Sequence, residues 1–243
     1  MTFKTGNRAL IVGGSSGMGL ALARRLAGQS MEVIIAGRDE QRLAQAAEAI
    51  GRCMNLSTVC LDATRESEVA ALFDTIGPVD HIVSTAADIR GSYELLPALE
   101  MEAVRRAFDS KVFAPIHIAK HGAARLRPGG SLTFTSGVAA YRPAAKGTVV
   151  AAVNAALEGM VRALAIELAP IRVNAVSPGW VDTPIWQFVA GDKKAETLRA
   201  MAERLPVGRI GFPEDIADAI AFLMENGFTT GAVLHVEGGH RLV

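Results

Sequence analysis

Residues 13–19 read Gly-Gly-Ser-Ser-Gly-Met-Gly and stand between an apolar run at 9–12 and a helical pattern at 17–28. Glycines at 13, 17 and 19 let the backbone turn sharply and approach a pyrophosphate closely. The helix that follows presents free N–H groups and its positive dipole end to such an anion. A glycine-rich turn alone is a weak signal, because tight turns need glycine anyway. Its place between a first strand and a helix predicts dinucleotide binding.

Short apolar strands alternate with longer amphipathic helices along the chain. The predicted strands cover residues 9–12, 32–36, 57–61, 81–84, 131–135, 172–176 and 233–236. The predicted helices lie near residues 17–28, 40–50, 66–74, 100–126, 148–168 and 213–224. Continuously apolar strands indicate a sheet covered on both faces. The sequence therefore predicts an α/β fold, a single-domain Rossmann fold over 1–243 with a doubly wound parallel sheet of about seven strands. The interval 180–230, which lacks a strand, is predicted to cover a substrate.

Composition excludes several classes of function. The 25 basic residues balance the 25 acidic ones, so no basic surface for nucleic acid is expected. The two cysteines, Cys53 and Cys60, cannot build a disulfide framework, and no metal site is predicted. His117 and His121 lie four residues apart on one helical face, but they lack a third ligand. Without a signal peptide or an apolar run long enough to span a bilayer, the sequence predicts a cytoplasmic protein with no membrane partner.

The end of the second strand bears on the choice of cofactor. It reads Ile34-Ile35-Ala36-Gly37-Arg38-Asp39. An NAD site usually places a carboxylate at this strand end to bind the ribose hydroxyls. Here Gly37 takes that place and the Arg38 guanidinium can pair with a 2′-phosphate, which favours NADP(H) over NAD(H). The alternative is a solvated arginine at a helix start, and Asp39 is predicted to cap the helix at 40–50.

With these segments in view, the whole chain resembles the short-chain dehydrogenase/reductase family. The resemblance rests on the glycine loop, on Cys60-Leu61-Asp62-Ala63, on residues 177–184 (Ser-Pro-Gly-Trp-Val-Asp-Thr-Pro), and on two C-terminal blocks at 211–217 and 237–239. Two segments depart from the family: Val12 stands where Thr is usual, and Ser84-Thr85-Ala86-Ala87 replaces Asn-Asn-Ala-Gly. The resemblance implies that Asp62 holds the adenine amino group and that residues 177–184 receive the nicotinamide carboxamide. It implies cofactor contacts at Gly13, Ser15, Ser16, Gly17, Met18, Gly19, Arg38, Asp62, Ala63, Ala86, Pro178, Gly179, Val181 and Thr183.

The family's catalytic positions differ more strongly. Ser136, after the fifth strand, fits the family's serine, which implies that its hydroxyl bonds to the substrate oxygen. A Tyr should follow about 13 residues later and a Lys four residues after it, but Val150 and Asn154 occupy those positions. On the preceding helix Lys111 stands where the family has Asn. We interpret this as an exchange between neighbouring helices, in which Lys111 and Asn154 together contact the nicotinamide ribose. Independent drift at two surface positions is the alternative.

The proton donor is left open among Tyr141, Lys111 and a water. Tyr141 and Lys146 cannot replace the usual pair on a helix. They are five residues apart, so on a helix their side chains would point about 140° away from each other around the axis. Pro143 between them also disfavours a regular helix. We therefore expect 141–146 to form a loop beside the substrate pocket.

The resemblance implies an NADP(H)-dependent oxidoreductase that acts on a small carbonyl or alcohol. A non-catalytic or regulatory dinucleotide-binding protein, which has lost the tyrosine, is the alternative. A lyase or isomerase that uses the cofactor differently is a third option. We expect a homo-oligomer, a tetramer or a dimer. Small residues on the helices at 100–126 and 148–168 allow a second helix to approach closely, and members of the family form oligomers through these two helices.

Overall fold

The computed structural model describes residue 3 and residues 6–29, 31–51 and 55–243; Cys53 lies outside these residues. The described residues contain one seven-stranded parallel sheet with the strand order β3-β2-β1-β4-β5-β6-β7. The strands are β1 (Arg8–Val12), β2 (Glu32–Gly37), β3 (Leu56–Cys60), β4 (Val79–Ser84), β5 (Leu126–Thr135), β6 (Arg172–Pro178) and β7 (Val233–Val236). This confirms the predicted doubly wound α/β Rossmann fold.

The helices lie between the strands in the predicted order. They are α1 (Gly17–Ala27), α2 (Glu40–Ile50), α3 (Glu66–Thr75), α4 (Met101–Phe108), α5 (Ala114–Gly122), α6 (Thr148–Glu167), α7 (Ile185–Ala190), α8 (Lys194–Ala202) and α9 (Pro213–Glu225). The predicted helix at 100–126 is interrupted: a π-helical turn, Asp109–Phe113, joins α4 to α5. The segment 180–230 carries α7, α8 and α9, and its described residues add no strand to the sheet.

Both faces of the central strand β1 are buried, as its continuously apolar sequence predicts. In β1, Ala9 and Ile11 belong to the core that α1 and α9 cover, whereas Leu10 and Val12 belong to the core that α3, α5 and α6 cover. Successive residues of a strand point to opposite faces, so a strand between two helical layers favours apolar residues at consecutive positions. The strand pattern in the sequence was therefore a reliable guide to the architecture.

The site lies where the strand order reverses. β1 pairs with β2 on one side and with β4 on the other, so the chain leaves the carboxyl ends of β1 and β4 in opposite directions. Open α/β sheets bind their ligands in the crevice at such a switch point. The Thr85 amide donates to the Val12 carbonyl at 2.8 Å, which ties the two strand ends together.

Helix α6 is long and apolar enough to cross a membrane by length and composition alone. Its buried residues, including Val153, Leu157 and Val161, instead pack against the sheet and neighbouring helices. The core helix of a Rossmann domain has the same composition, and this position in the fold explains its hydrophobicity.

Candidate active site

The glycine loop after β1 forms a tight cradle. Gly13 has φ +89°, and a Cβ there would lie 2.7 Å from the Ala86 amide nitrogen. A Cβ on Gly19 would lie 2.3 Å from the Gly13 carbonyl oxygen. Side chains at either position would therefore push the loop away from the strand ends. Ser16 precedes α1 as its N-cap and Met18 lies in its first turn, so the predicted loop residues do surround a helix N-terminus.

The end of β2 carries a cationic group beside this loop. The Arg38 guanidinium is about half exposed and lies 3.3 Å from a carboxylate oxygen of Asp88. Asp88 is held more closely by Arg90, with contacts of 2.8 Å and 2.5 Å. Arg90, and secondarily Arg38, hold the pKa of Asp88 at about 2. Asp88 therefore keeps its principal partner if Arg38 turns to another anion.

The structure also shows where Ser15 and Asp39 lie relative to the end of β2. Ser15 faces the same place, because a Cβ on Gly37 would lie 3.4 Å from the Ser15 hydroxyl. Asp39 caps α2, accepting a hydrogen bond from the Arg42 amide at 3.0 Å, as predicted. Asp39 is thus committed to the helix, and Arg38 is the charged residue of the strand end that remains to face a ligand.

The segments predicted for the two ends of the cofactor also lie at this edge. Asp62 follows β3 and accepts from the amide and hydroxyl of Thr64, at 3.1 Å and 2.7 Å. The next residue, Ala63, accepts from His117 Nδ1 at 3.1 Å. At the other end, Thr183 lies over the glycine loop, since a Cβ on Gly17 would be 3.4 Å from the Thr183 methyl carbon.

The segment after β6 is held in place by its own backbone and by close packing. Gly179 donates to the Val236 carbonyl at 3.0 Å, and a Cβ on it would lie 2.7 Å from Glu237. Val181, which is buried, pairs with Gly211. Pro178, the last residue of β6, thus leads into a segment that closes beside the glycine loop.

Lys111 lies in the π-helical turn, with its ammonium buried at the carboxyl end of β5. Its Nζ donates to the carbonyl oxygens of Thr135 at 2.7 Å and Ser136 at 3.1 Å. The Ala114 amide bonds to the carbonyl of Asp109, five residues back, which is the wider turn that brings Lys111 here. Burial lowers the pKa of Lys111 from 10.5 to about 8, while the nearby Glu158 acts in the opposite direction.

Asn154 meets the same segment from α6. Its side-chain nitrogen lies only 2.7 Å from the position of a Cβ on Gly137, so the absence of a side chain at 137 makes room for the amide. Its side-chain oxygen is buried and lacks a hydrogen-bond partner among the described residues. A buried acceptor without a donor is costly, and a bound hydroxyl group would satisfy it.

Ser136 and Tyr141 meet on a carboxylate that the sequence analysis did not identify. The Ser136 hydroxyl donates to one oxygen of Glu158 at 2.6 Å, and the Tyr141 hydroxyl donates to the other at 2.5 Å. Burial, and then the hydrogen bond to Glu158, raise the pKa of Tyr141. Val150, by contrast, is buried and apolar. The site thus holds a buried ammonium, an unsatisfied amide oxygen and two hydroxyls committed to a carboxylate.

Comparison with known proteins decides the family. Residues 12–241 match a family described as Enoyl-(Acyl carrier protein) reductase. The chain is 35% identical to Short-chain dehydrogenase/reductase ATR9 of Stachybotrys chlorohalonatus, over 96% of each chain. The chain is a short-chain dehydrogenase/reductase. It is therefore an oxidoreductase of that type.

Solved structures of the short-chain dehydrogenase/reductase family agree. MalC Reductase/Diels-Alderase from Malbranchea aurantiaca superimposes with a TM-score of 0.89 at 30% identity, covering 98% of this chain and 97% of that one. A small-chain dehydrogenase in complex with NADPH gives a TM-score of 0.83 at 35% identity, covering 98% of this chain and all of that one. Both likenesses extend over nearly the whole chain.

The geometry changes how Ser136 is interpreted in this short-chain dehydrogenase/reductase. The family's serine is expected to stand about 13 residues before its tyrosine, and 13 residues before Val150 stands Gly137. Gly137 faces Asn154, whereas the Ser136 hydroxyl is engaged with Glu158. That Ser136 bonds to a substrate oxygen remains a prediction, and the structure gives its hydroxyl a different partner.

The predicted loop after β5 is confirmed, whereas the role of Glu158 was not predicted from the sequence. Tyr141 follows the 3₁₀ turn Val138–Ala140, and Lys146 has φ +69° and pairs with Glu94 at 3.2 Å. Glu158 stands one turn after Asn154 on a helix that is apolar on its buried face. An acidic residue on the buried face of α6 was the sequence feature that could have pointed to Glu158. Among the described residues there is no group of three or more side chains suited to a metal ion.

Proposed function

We propose that this protein is an NADP(H)-dependent oxidoreductase that acts on a small carbonyl or alcohol, with Lys111 and Asn154 replacing the usual charged residue at the nicotinamide ribose. One observation carries the proposal. The Lys111 ammonium is buried, fixed by the carbonyls of Thr135 and Ser136, and it meets the same short segment as the unsatisfied Asn154 oxygen. A chain that had merely lost its chemistry would not need to bury a charge there, because burial is costly.

The residues present fit a dinucleotide. Gly13 and Gly19, where a Cβ would clash with neighbouring protein atoms, keep the loop compact at the N-terminus of α1, where a pyrophosphate would bind. At the other end, the Asn154 oxygen requires a donor, which a ribose hydroxyl provides. When bound, the nicotinamide supplies or accepts the hydride, and the protein positions it.

The proposed preference for NADP(H) rests on the end of β2. Arg38 and Ser15 face the place where a 2′-phosphate would lie beside Gly37. Because Asp88 stays paired with Arg90, freeing Arg38 leaves no unpaired carboxylate. A charge-assisted hydrogen bond to phosphate is worth about 1.5–3 kcal/mol.

Lys111 has two tasks in this proposal. Its ammonium orients the ribose hydroxyls and favours the charged form of a neighbouring proton donor. With a pKa of about 8, it can also release a proton near neutral pH, either directly or through a water. Tyr141 is the weaker candidate for the donor, because its hydroxyl is committed to Glu158 and its pKa is raised.

A non-catalytic dinucleotide-binding protein is the second candidate. The buried, apolar Val150 favours it, since a valine cannot donate a proton. Turnover of NADPH with a panel of aldehydes, ketones and quinones separates the two candidates. Oxidation of NADPH that depends on the added carbonyl supports the oxidoreductase. Tight NADPH binding without turnover across the panel supports the alternative.

We further propose a cytoplasmic location and assembly into a homo-oligomer. Cys60 is a free, exposed thiol, which suits a reducing compartment. Several large apolar side chains of α4 to α6 are exposed, among them Met101, Phe113 and Ile116. A second copy of the chain is the partner that would cover them.

A further inference from the structure

Glu158 is a buried carboxylate that the proposed reaction does not use. It lies on α6 and is only 4% exposed. Burying a carboxylate is costly unless its oxygens are hydrogen-bonded. Both oxygens have donors, Ser136 at 2.6 Å and Tyr141 at 2.5 Å, so this cost is offset by two charge-assisted bonds.

The two donors lie at opposite ends of one short segment. Ser136 directly follows β5, and Tyr141 follows the 3₁₀ turn Val138–Ala140. Glu158 therefore clamps the segment 136–141 onto α6. This segment includes Gly137, which accommodates the Asn154 amide.

Ser136 also links Glu158 to Lys111. Its hydroxyl donates to Glu158, and its carbonyl accepts from the Lys111 ammonium at 3.1 Å. We propose that Glu158 is a positioning residue, which holds Ser136 and Tyr141 with its two oxygens and, through Ser136, fixes the ammonium of Lys111 at the site. That this ammonium matters for cofactor binding rests on the proposed function. The linkage from Glu158 through Ser136 to Lys111 does not.

The charges around this cluster favour such a role. Glu158 faces Lys111 from α6 and raises its pKa against the larger effect of burial. Around Tyr141 stand His235 of β7, whose ring centroid lies 4.5 Å away, Arg241 at 6.0 Å from the ring, and Arg162 of α6. The pKa of His235 is lowered, chiefly by burial and then by Arg241. Glu158 is the acidic group that acts on Lys111 here.

The charge linkage can be measured without any cofactor. The chain has six lysines, so a protein labelled with ¹³C at the lysine Cε gives few resonances, and Lys111→Met identifies that of Lys111. The titration midpoint of Lys111 should lie near 8 in the unmodified protein. Glu158→Gln keeps the shape but removes the charge, and should lower that midpoint by roughly one pH unit. Glu167→Gln, an exposed carboxylate on the same helix, should leave it unchanged.

The positional linkage has its own test. The amides of Tyr141 and Arg142 both donate to the Val138 carbonyl. Tyr141→Phe removes one bond to Glu158 but keeps its charge, so these amides should exchange with solvent several-fold faster while the Lys111 midpoint stays in place. Ser136→Ala should move the Lys111 resonance, because it loosens the carbonyl that receives the ammonium.

These outcomes decide the proposal. An unchanged Lys111 midpoint in Glu158→Gln, or unchanged exchange at Tyr141 and Arg142 in Tyr141→Phe, would overturn it. If Glu158→Gln does not fold, the Tyr141→Phe and Ser136→Ala proteins decide, and wild-type behaviour in both refutes the linkage. Failure of the proposed function looks different: Lys111→Met would then bind NADPH as tightly as the unmodified protein.

Discussion

At the scale of single residues, Lys111 combines burial with neutral partners. Its ammonium donates to two carbonyl oxygens and lacks an ion-pair contact among the described residues, and the nearby Glu158 carboxylate offsets the loss of water only in part. Such a position disfavours the charged form, which is why the pKa of Lys111 falls to about 8. The charge at the site therefore varies with pH near the physiological range.

Burial of Lys111 should also give the folded protein a pH-dependent stability. Its pKa is about 8 when folded and 10.5 ordinarily, so between these values the unfolded chain binds more protons than the folded one. The contribution of Lys111 to the free energy of unfolding should therefore increase as the pH rises from about 8 to 10.5. Urea unfolding at several pH values should show the gain in the unmodified protein and its absence in Lys111→Met. Parallel stability curves for the two proteins would contradict it.

Arg38 makes a second prediction at this scale. Arg38→Ala should weaken NADPH binding by about tenfold or more and leave NADH binding nearly unchanged, because only NADPH carries the 2′-phosphate. Arg42→Ala is the control, since Arg42 is an exposed arginine in the first turn of α2. Calorimetry gives all the affinities. Equal affinity of the unmodified protein for the two cofactors would refute the preference.

At the scale of elements, the contact between the end of β5 and α6 depends on a missing side chain. Gly137 has an extended backbone that any residue can adopt, but its Cβ would lie 2.7 Å from the Asn154 amide nitrogen. Gly137→Ala should displace that amide, weaken NADPH binding and destabilise the fold by about 1–3 kcal/mol.

Gly227→Ala is the matched control for Gly137→Ala. A Cβ on Gly227 would have open space around it, with no heavy atom within 4 Å among the described residues. Its NADPH affinity and thermal midpoint should remain close to those of the unmodified protein. If Gly137→Ala behaves in the same way, the proposed packing of Asn154 is wrong.

The sequence predicted the elements better than the contacts between them. The strands β1 and β2 were predictable because each is apolar at four consecutive positions. The π-helical turn was not, because its extra residue leaves no mark on the hydrophobic pattern of 100–126. The partner of Ser136 could not be predicted either, because Glu158 is 22 residues away and reaches it only after α6 has packed on the sheet.

At the scale of the whole molecule, exposed apolar residues indicate an assembly. Met101, Phe113 and Ile116 are exposed on α4, the π-helical turn and α5, and Ala155 offers a small exposed residue on α6 where a second helix can approach closely. We expect a homo-oligomer, a tetramer or a dimer, with these helices at one interface.

Light scattering at micromolar concentration tests the assembly. Ile116→Asp should shift the protein towards smaller species, because it places a charge in the expected apolar interface. Gln41→Asp, at an exposed position on α2, should leave the mass unchanged. A stable monomer of the unmodified protein would refute the expectation.

The central claim is that Lys111 supplies the positive charge at the nicotinamide ribose. Calorimetry of NADPH binding to Lys111→Met, with Lys146→Met as the control, tests it most directly, because Lys146 is a half-exposed lysine paired with Glu94. We predict that Lys111→Met loses at least tenfold in affinity and that Lys146→Met binds NADPH almost as the unmodified protein does. Equal affinity of Lys111→Met and the unmodified protein would contradict the account.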